Sequence, residues 1–309
     1  MKVIVLAGGD SSEKEISLRT GECVYNTLIE LGYQVEMCSI TTFKDVLNLE
    51  IGDNTLIFNA LHGGFGEDGT LQSYLSYLNL PYNGANALAS SIGMNKEVTK
   101  KLASTIGISI PKSMLITKTS ILSYEKVKYV LGSKFVLKPL SQGCSVGLYY
   151  VTSKEEYDTF IPQALEIEES VILEEFITGI EITVGMLGEE ILPLVEIKHN
   201  HDLFDYESKF TPGMSRFIEC ELPEKMQKNI QKQSKEFFNL LDITDYARLD
   251  FIVDESGKAY LLELNTLPGL NTSSLYPVAC KFMMLDYKEM MQRLVQLIAI
   301  KKGHTQSVG

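Results

Sequence analysis

Apolar residues along this chain fall into short blocks with two alternating spacings. KVIVLA is a continuous apolar run that ends at Gly8-Gly9, and Ser17 to Leu31 repeats its apolar positions at helical spacing. YQVEMCSI and TLIFNALH read as strands, and Thr70 to Leu80 reads as a helix ended by Pro81. Strand, helix, strand, strand, helix in that order predicts a parallel, Rossmann-like beginning. A second unit opens at Asn95, an N-cap for the helix KEVTKKLASTIG, which stops at Gly107 ahead of Pro111. Strands KFVLKP and GLYYV follow, then a helix from about Ser153 and the strand VILEEF. The last third carries strands EITVGML and EEILPLVEI, an irregular polar stretch from Lys198 to Arg216, and the helix PEKMQKNIQKQSKEFFNLL. Strands ARLDFIV and AYLLELN and an amphipathic helix over Asp286 to Ile300 complete the pattern. The fold class is therefore α/β, with an antiparallel element in the last third.

With 309 residues the chain is expected to form two or three domains. No apolar run approaches the roughly 18 residues of a membrane span, and MKVIVLAGG is too short for a signal-peptide core. The formal charge of −12 repels nucleic acid and anionic membrane. An anionic ligand would have to be met by local lysines, backbone amides or a metal. Five cysteines, odd in number and without a C-x-x-C pair, read as reduced thiols. The expected location is the cytoplasm.

Residues 64–69, GFGEDG, match G-x-G-x-x-G, but Glu67 and Asp68 inside the cradle would repel a pyrophosphate. The acid expected about 20 residues later is missing, so a bare turn is the better reading. The two late strands carry more. If Ser256-Gly257 is a two-residue hairpin loop, Asp250 opposes Glu263 and Arg248 opposes Asn265, all on one face. Opposed carboxylates repel unless a cation lies between them. Two carboxylates and an amide oxygen suit Mg²⁺. A wet sheet face with two solvated acids fits the same pattern, and both readings stay open on pattern alone. Lys138 ends KFVLKP just before LSQGCSVG, a Gly/Ser loop whose amides could cover phosphates. Lys96 sits in the first turn of its helix, where the macrodipole favours acids instead.

The ordered set LAGGDSSEKEISL, ALHGGFGEDGTLQ, MNKEVTK, FVLKPLSQGCSVG, DYESKF, ARLDF and LLELNTLPGLNTSSL resembles the D-alanine–D-alanine ligases of the ATP-grasp superfamily, essentially end to end. That resemblance implies three domains: 1–94, Rossmann-like and substrate-binding; 95–180, central; and 181–309, carrying the metal site. It implies ATP as co-substrate, two Mg²⁺ or Mn²⁺ ions and a homodimer. Lys96, Lys138 and Lys209 match phosphate-binding lysines, Glu174, Glu175 and Ile177 the adenine edge, and Glu181 the ribose acid. Asp250, Glu263 and Asn265 match the metal ligands, and Arg248 with the Gly269 amide the oxyanion site. Glu13 matches the acid on the first substrate's ammonium. His62 matches a histidine beside the acyl phosphate and Glu67 an acid in the same loop; Ser274 and Leu275 match the second substrate's carboxylate site. The implied reaction joins two D-alanines through an acyl phosphate for peptidoglycan synthesis.

The chain departs from the usual pattern at four positions. Gln142 and Cys144 replace residues of the EGSSVG loop, Glu175 replaces a lysine, and Phe210 replaces the tyrosine of the loop 202–215, which is expected to act as a lid. Cys144 and Phe210 alter two of three members of a hydrogen-bonded set with Glu13. The alternatives are therefore a D-alanine–D-lactate or other D-amino-acid dipeptide ligase, and a catalytically silent relative acting as a binding protein.

Overall fold

The computed structural model describes residues 1–52, 54–143, 146–199 and 215–306. Cys144, Lys209 and Phe210, and with them all of the expected lid over 202–215 except its last residue, lie outside the described residues.

Three sheets organise the chain. In the first, β1 (Lys2–Gly8) lies between β2 (Gln34–Ile40) and β3 (Thr55–Asn59), parallel to both, as the opening pattern predicts. The helix Lys14–Glu30 returns from β1 to β2 and packs against the sheet through Gly21, where a Cβ would lie 2.5 Å from that of Ala7. Ser17 ties the turn together. Its hydroxyl accepts from the Gly8 amide at 2.8 Å and donates to the Ala60 carbonyl at 2.7 Å.

The second sheet is antiparallel, in the order β4 (Ser113–Thr117), β7 (Ser170–Glu175), β5 (Phe135–Pro139), β6 (Tyr149–Val151). Ser153 caps the helix Lys154–Ile167 with Glu156 answering in a capping box, so that start is read correctly. The third sheet contains β8 (Gly179–Leu187), β9 (Glu190–Ile191), β10 (Val195–His199), β11 (Ser215–Glu219), β12 (Tyr246–Asp254) and β13 (Ala259–Asn265), with β12 between β8 and β13. EEILPLVEI is two strands, not one. Pro193 has no amide hydrogen for a ladder, and the chain breaks there between β9 and β10. The ends of the supposedly irregular stretch are also paired, Lys198 with Arg216 and His199 with Ser215.

The expected hairpin register is right at the top of β12 for a reason the pattern did not contain. Glu255, Ser256 and Gly257 form a three-residue loop, with Gly257 at φ 85° and its amide donating to the Asp254 carbonyl at 2.9 Å. That loop shifts the pairing by one residue. A bulge opposite Asp250 and Phe251, with Leu262 as the extra residue, shifts it back. Asp250 therefore does oppose Glu263, and Arg248 does oppose Asn265.

The chain's end returns to its beginning. Leu275, Tyr276, Met290, Met291 and Leu294 share a core with Val3, Val5, Val24 and Leu28. The terminal helix runs Tyr287–Gln306, longer than the expected Asp286 to Ile300. No helix among the described residues is long and apolar enough to cross a membrane. Because Gly21 leaves no room above Ala7, Gly21→Val should destabilise the protein by about 1–3 kcal/mol through overpacking. Thermal or urea unfolding would check this, and an unchanged midpoint would mean that the helix does not sit this close.

Candidate active site

A cavity of about 310 Å³ opens where the first and third sheets meet the Lys96–Thr105 helix. Ten of the residues singled out from sequence line it: Glu13, His62, Glu67, Lys96, Arg248, Glu263, Asn265, Gly269, Ser274 and Leu275. They come from segments far apart in the chain, and each is placed by local structure. Glu13 stands at the N-terminal end of the Lys14–Glu30 helix, its amide donating to Ser11 Oγ at 3.1 Å. Ser11 in turn donates to the carbonyl of His62 at 2.5 Å, which holds the two loops together. Ser274 stands at the N-cap position of the helix Leu275–Phe282, which the chain's end packs against the first core.

GFGEDG is no dinucleotide cradle. Its first three residues form a 3₁₀ turn, and Glu67 turns inward, accepting from the Gly63 amide at 2.7 Å. Burial pushes the Glu67 carboxyl up to about 8, with the neighbouring Glu13 charge adding to it. His62 moves the other way. Burial, assisted by Arg248, lowers it to about 4, so the ring is neutral at pH 7 and its Nε2 lies 3.1 Å from Thr20 Oγ1.

On β12, Arg248 holds Asp250 bidentately, Nε to Oδ1 and Nη2 to Oδ2 both at 2.8 Å, while the Thr183 hydroxyl donates to Oδ1 at 2.6 Å. Asp250 is buried behind Arg248 and does not itself line the cavity, whereas Glu263 and Asn265 do. Asn265 Oδ1 accepts from the Leu267 amide at 3.0 Å, leaving the second lone pair of an amide oxygen. The donor chemistry, two carboxylates and an amide, suits a hard cation.

The lysines lie on the neighbouring wall. Lys96 donates to the Gln142 carbonyl at 2.6 Å and so meets the glycine loop. Lys138 lies 2.7 Å from Glu174, deeper than the cavity lining, and Glu174 also pairs with Lys100. Lys100, 1% exposed, was not singled out, although KEVTKK sets it one turn beyond Lys96 on the same helix face. Burial and the ammonium groups of Lys138 and Lys96 push it well below the ordinary lysine range. The Glu175 carboxylate is engaged by Lys112, accepting from its amide at 2.9 Å. Ile177 lies half-buried between β7 and β8, and Glu181 lies in β8 opposite Ile197 and Ile252.

A parallel sheet followed by two antiparallel sheets around such a cleft is the ATP-grasp arrangement, and solved structures similar to it agree. D-alanine–D-alanine ligase from Bacillus anthracis, solved in complex with ATP, superposes with TM-score 0.86 at 30% identity and covers 99% of both chains. VanG D-Ala:D-Ser ligase from Enterococcus faecalis gives 0.83 at 27%, over 96% of this chain and 99% of its own. D-alanine–D-alanine ligase of Aquifex aeolicus is 39% identical over 96% of this chain and 100% of its own length. Residues 102–296 match the family described as D-ala D-ala ligase C-terminus. The chain belongs to the D-alanine–D-alanine ligase family.

In the folded, metal-free protein Glu67 keeps a proton that the unfolded chain gives up above pH 4.5. The native state then binds more protons, so stability falls as pH rises from about 4.5 to about 8 and is level beyond. Glu67→Gln removes that slope. The variant should match the parent at pH 4 and exceed it at pH 8 by on the order of 2–4 kcal/mol. A difference that does not vary with pH would sink the assignment; the His62 contribution is common to both proteins and cancels.

Proposed function

We propose that the chain is an ATP-dependent D-alanine–D-alanine ligase supplying peptidoglycan synthesis, working as a homodimer in the cytoplasm. The observation that carries this reading is the convergence of Glu13, His62, Arg248, Glu263, Asn265 and Gly269 on one cavity beside Lys96, in a chain similar to such ligases over nearly its whole length. A silent binding protein has no need to bury the acids Glu13 and Glu67 in one cleft, where ionised carboxylates are costly.

In this reading the first D-alanine is held by Glu13 through its ammonium, and its carboxylate attacks the γ-phosphate of ATP, forming an acyl phosphate as the bond to the β,γ-bridging oxygen breaks and ADP leaves. Lys96 and Lys138 bind the phosphates as positioned cations, with Lys209 as a third. Glu174, Glu175 and Ile177 form the adenine edge and Glu181 the ribose contact. Asp250, Glu263 and Asn265 are the residues that would hold Mg²⁺ or Mn²⁺, which when bound neutralises charge on the transferring phosphoryl group. The second substrate's carboxylate lies at Ser274 and Leu275. Its amine, having shed a proton, attacks the acyl carbon of the acyl phosphate, the carbonyl oxygen gains negative charge facing Arg248 and the Gly269 amide, and collapse to the amide breaks the C–O bond and expels inorganic phosphate. An ideal Cβ built on Gly269 falls 4.0 Å from His62 Cε1 and 3.5 Å from Ser274 Oγ, which supports that grouping. Neutral His62 can act as an acceptor beside the reacting centre without adding charge.

Phe210 and Cys144 favour a second reading for the second substrate. Phenylalanine has no hydroxyl and a thiol is a weak donor, so the site is less polar than its usual form, and a neutral hydroxy acid such as D-lactate gains on an ammonium. Two measurements test these readings. Glu263→Gln should lower turnover at least about 100-fold, on the scale of removing one transition-state charge contact, with circular dichroism unchanged. Near-parental turnover at moderate magnesium would remove Glu263 from the site. Competition between D-alanine and D-lactate over pH 6 to 9, with products identified by mass, should give dipeptide throughout. Depsipeptide dominating at low pH and fading as the amine deprotonates would establish the second reading instead.

A further inference from the structure

Lys100 stands beside this cleft without a role in the ligase chemistry, yet it is more deeply buried than Lys96, Lys138 or Arg248. It lies inside the Lys96–Thr105 helix and pairs with one oxygen of Glu174, itself 3% exposed. The other oxygen of Glu174 lies 2.7 Å from Lys138 Nζ. In the sheet, Glu174 is opposite Val136 and Lys138 is opposite Ile172, so Glu174 and Lys138 are diagonal neighbours on one face. One buried carboxylate therefore serves two lysines with different freedom. Lys138 sits near the end of its strand, ahead of the glycine loop, with its side chain 13% exposed. The Lys100 side chain, within its helix, is 1% exposed.

The consequence follows from the cost of an unpaired buried charge. If Lys138 moves to a phosphate, Glu174 loses a partner, and a buried carboxylate left alone is strongly unfavourable. With Lys100 in place the carboxylate keeps a counterion when Lys138 turns to a phosphate. We propose that Lys100 is a positioning residue that retains Glu174 as nucleotide arrives, so that Lys138 is handed from the carboxylate to a phosphate of the nucleotide. The two lysines outnumber the carboxylate, and a phosphate anion completes the cluster. This inference rests on the reading of the cleft as an ATP site.

The test compares ATP with adenosine by calorimetry, since adenosine has the base and ribose but no phosphate for Lys138 to meet. Lys100→Met should weaken ATP at least tenfold and adenosine by less than twofold. Equal weakening of both would overturn the proposal, because a loss of general packing predicts it. In a Glu174→Gln background the carboxylate no longer holds Lys138, so adding Lys100→Met should change ATP affinity less than threefold. A tenfold loss there would also overturn it, and this arm stands even where Lys100→Met alone does not fold. Absence of ATP binding by the parent protein overturns the nucleotide reading and the inference with it. Normal parental binding with an unselective loss overturns the inference alone.

Discussion

A guanidinium and a carboxylate two residues apart on one central strand must share a dry environment, and much of this fold is arranged around that requirement. Arg248 and Asp250 project from the same face of β12, which lies between β8 and β13 with the site end of its ladder paired on both sides. Asp250 is satisfied by the Arg248 fork and by Thr183 from β8, so the neighbouring strand completes what the hairpin alone would leave exposed. Charge-assisted, bidentate contacts of this kind fix direction as well as energy. Arg248 is thereby held facing the cavity that Glu263 and Asn265 enter from β13.

The start of the same strand fixes the parallel sheet relative to this site. Asp245, 1% exposed, accepts from the Gly84 amide at 2.6 Å and from Lys301 at 2.9 Å. Lys301 also donates to the carbonyls of Tyr82 and Gly84, and Asn83 joins Asn59 to the Tyr246 hydroxyl. Tyr246 and Asp245 thus clamp the segment leaving the parallel sheet, while the terminal helix supplies the third hand. That is why His62 and Glu67, which follow β3, reach a site whose charged half is built almost 190 residues later in the chain.

Much of this was legible in sequence because long periodic segments report their own geometry. The parallel opening, the Asn95 cap, the helix start near Ser153 and the hairpin acids all came from local pattern. What stayed hidden has particular causes. The strand Ser113–Thr117 and the helices Ala87–Gly93 and Leu275–Phe282 are a turn or two long, too short for periodicity to separate them from loops. The hairpin pairing came out right although its loop length was wrong, because a bulge absorbs one residue; a backbone irregularity of that kind leaves no mark on an apolar pattern. Lys100 was passed over because a lysine in a charged helix reads as solvated, and only packing shows that it faces Glu174 and not water. The Glu67 environment was half visible: its misfit in a phosphate cradle was plain, its inward turn was not.

The glycines of the site have a second reason to exist beyond exposing amides to phosphate. A Cβ on Gly63 would stand 2.8 Å from a Glu13 carboxylate oxygen, and one on Gly143 would stand 2.9 Å from the same oxygen. These two glycines belong to different parts of the chain, one after the parallel sheet and one in the loop that follows β5, and both close on a single acid. Gly63 adds a φ of 66°, which a side chain resists in its own right. Any substituent at either position would push its loop off the carboxylate. Since Lys96 reaches the carbonyl beside Gly143, it would also shift Lys96 away from Glu13. The spacing between these two parts of the cavity wall is therefore set by the absence of two methyl groups, and the acid they enclose is the point at which the loop after β3 and the loop after β5 touch.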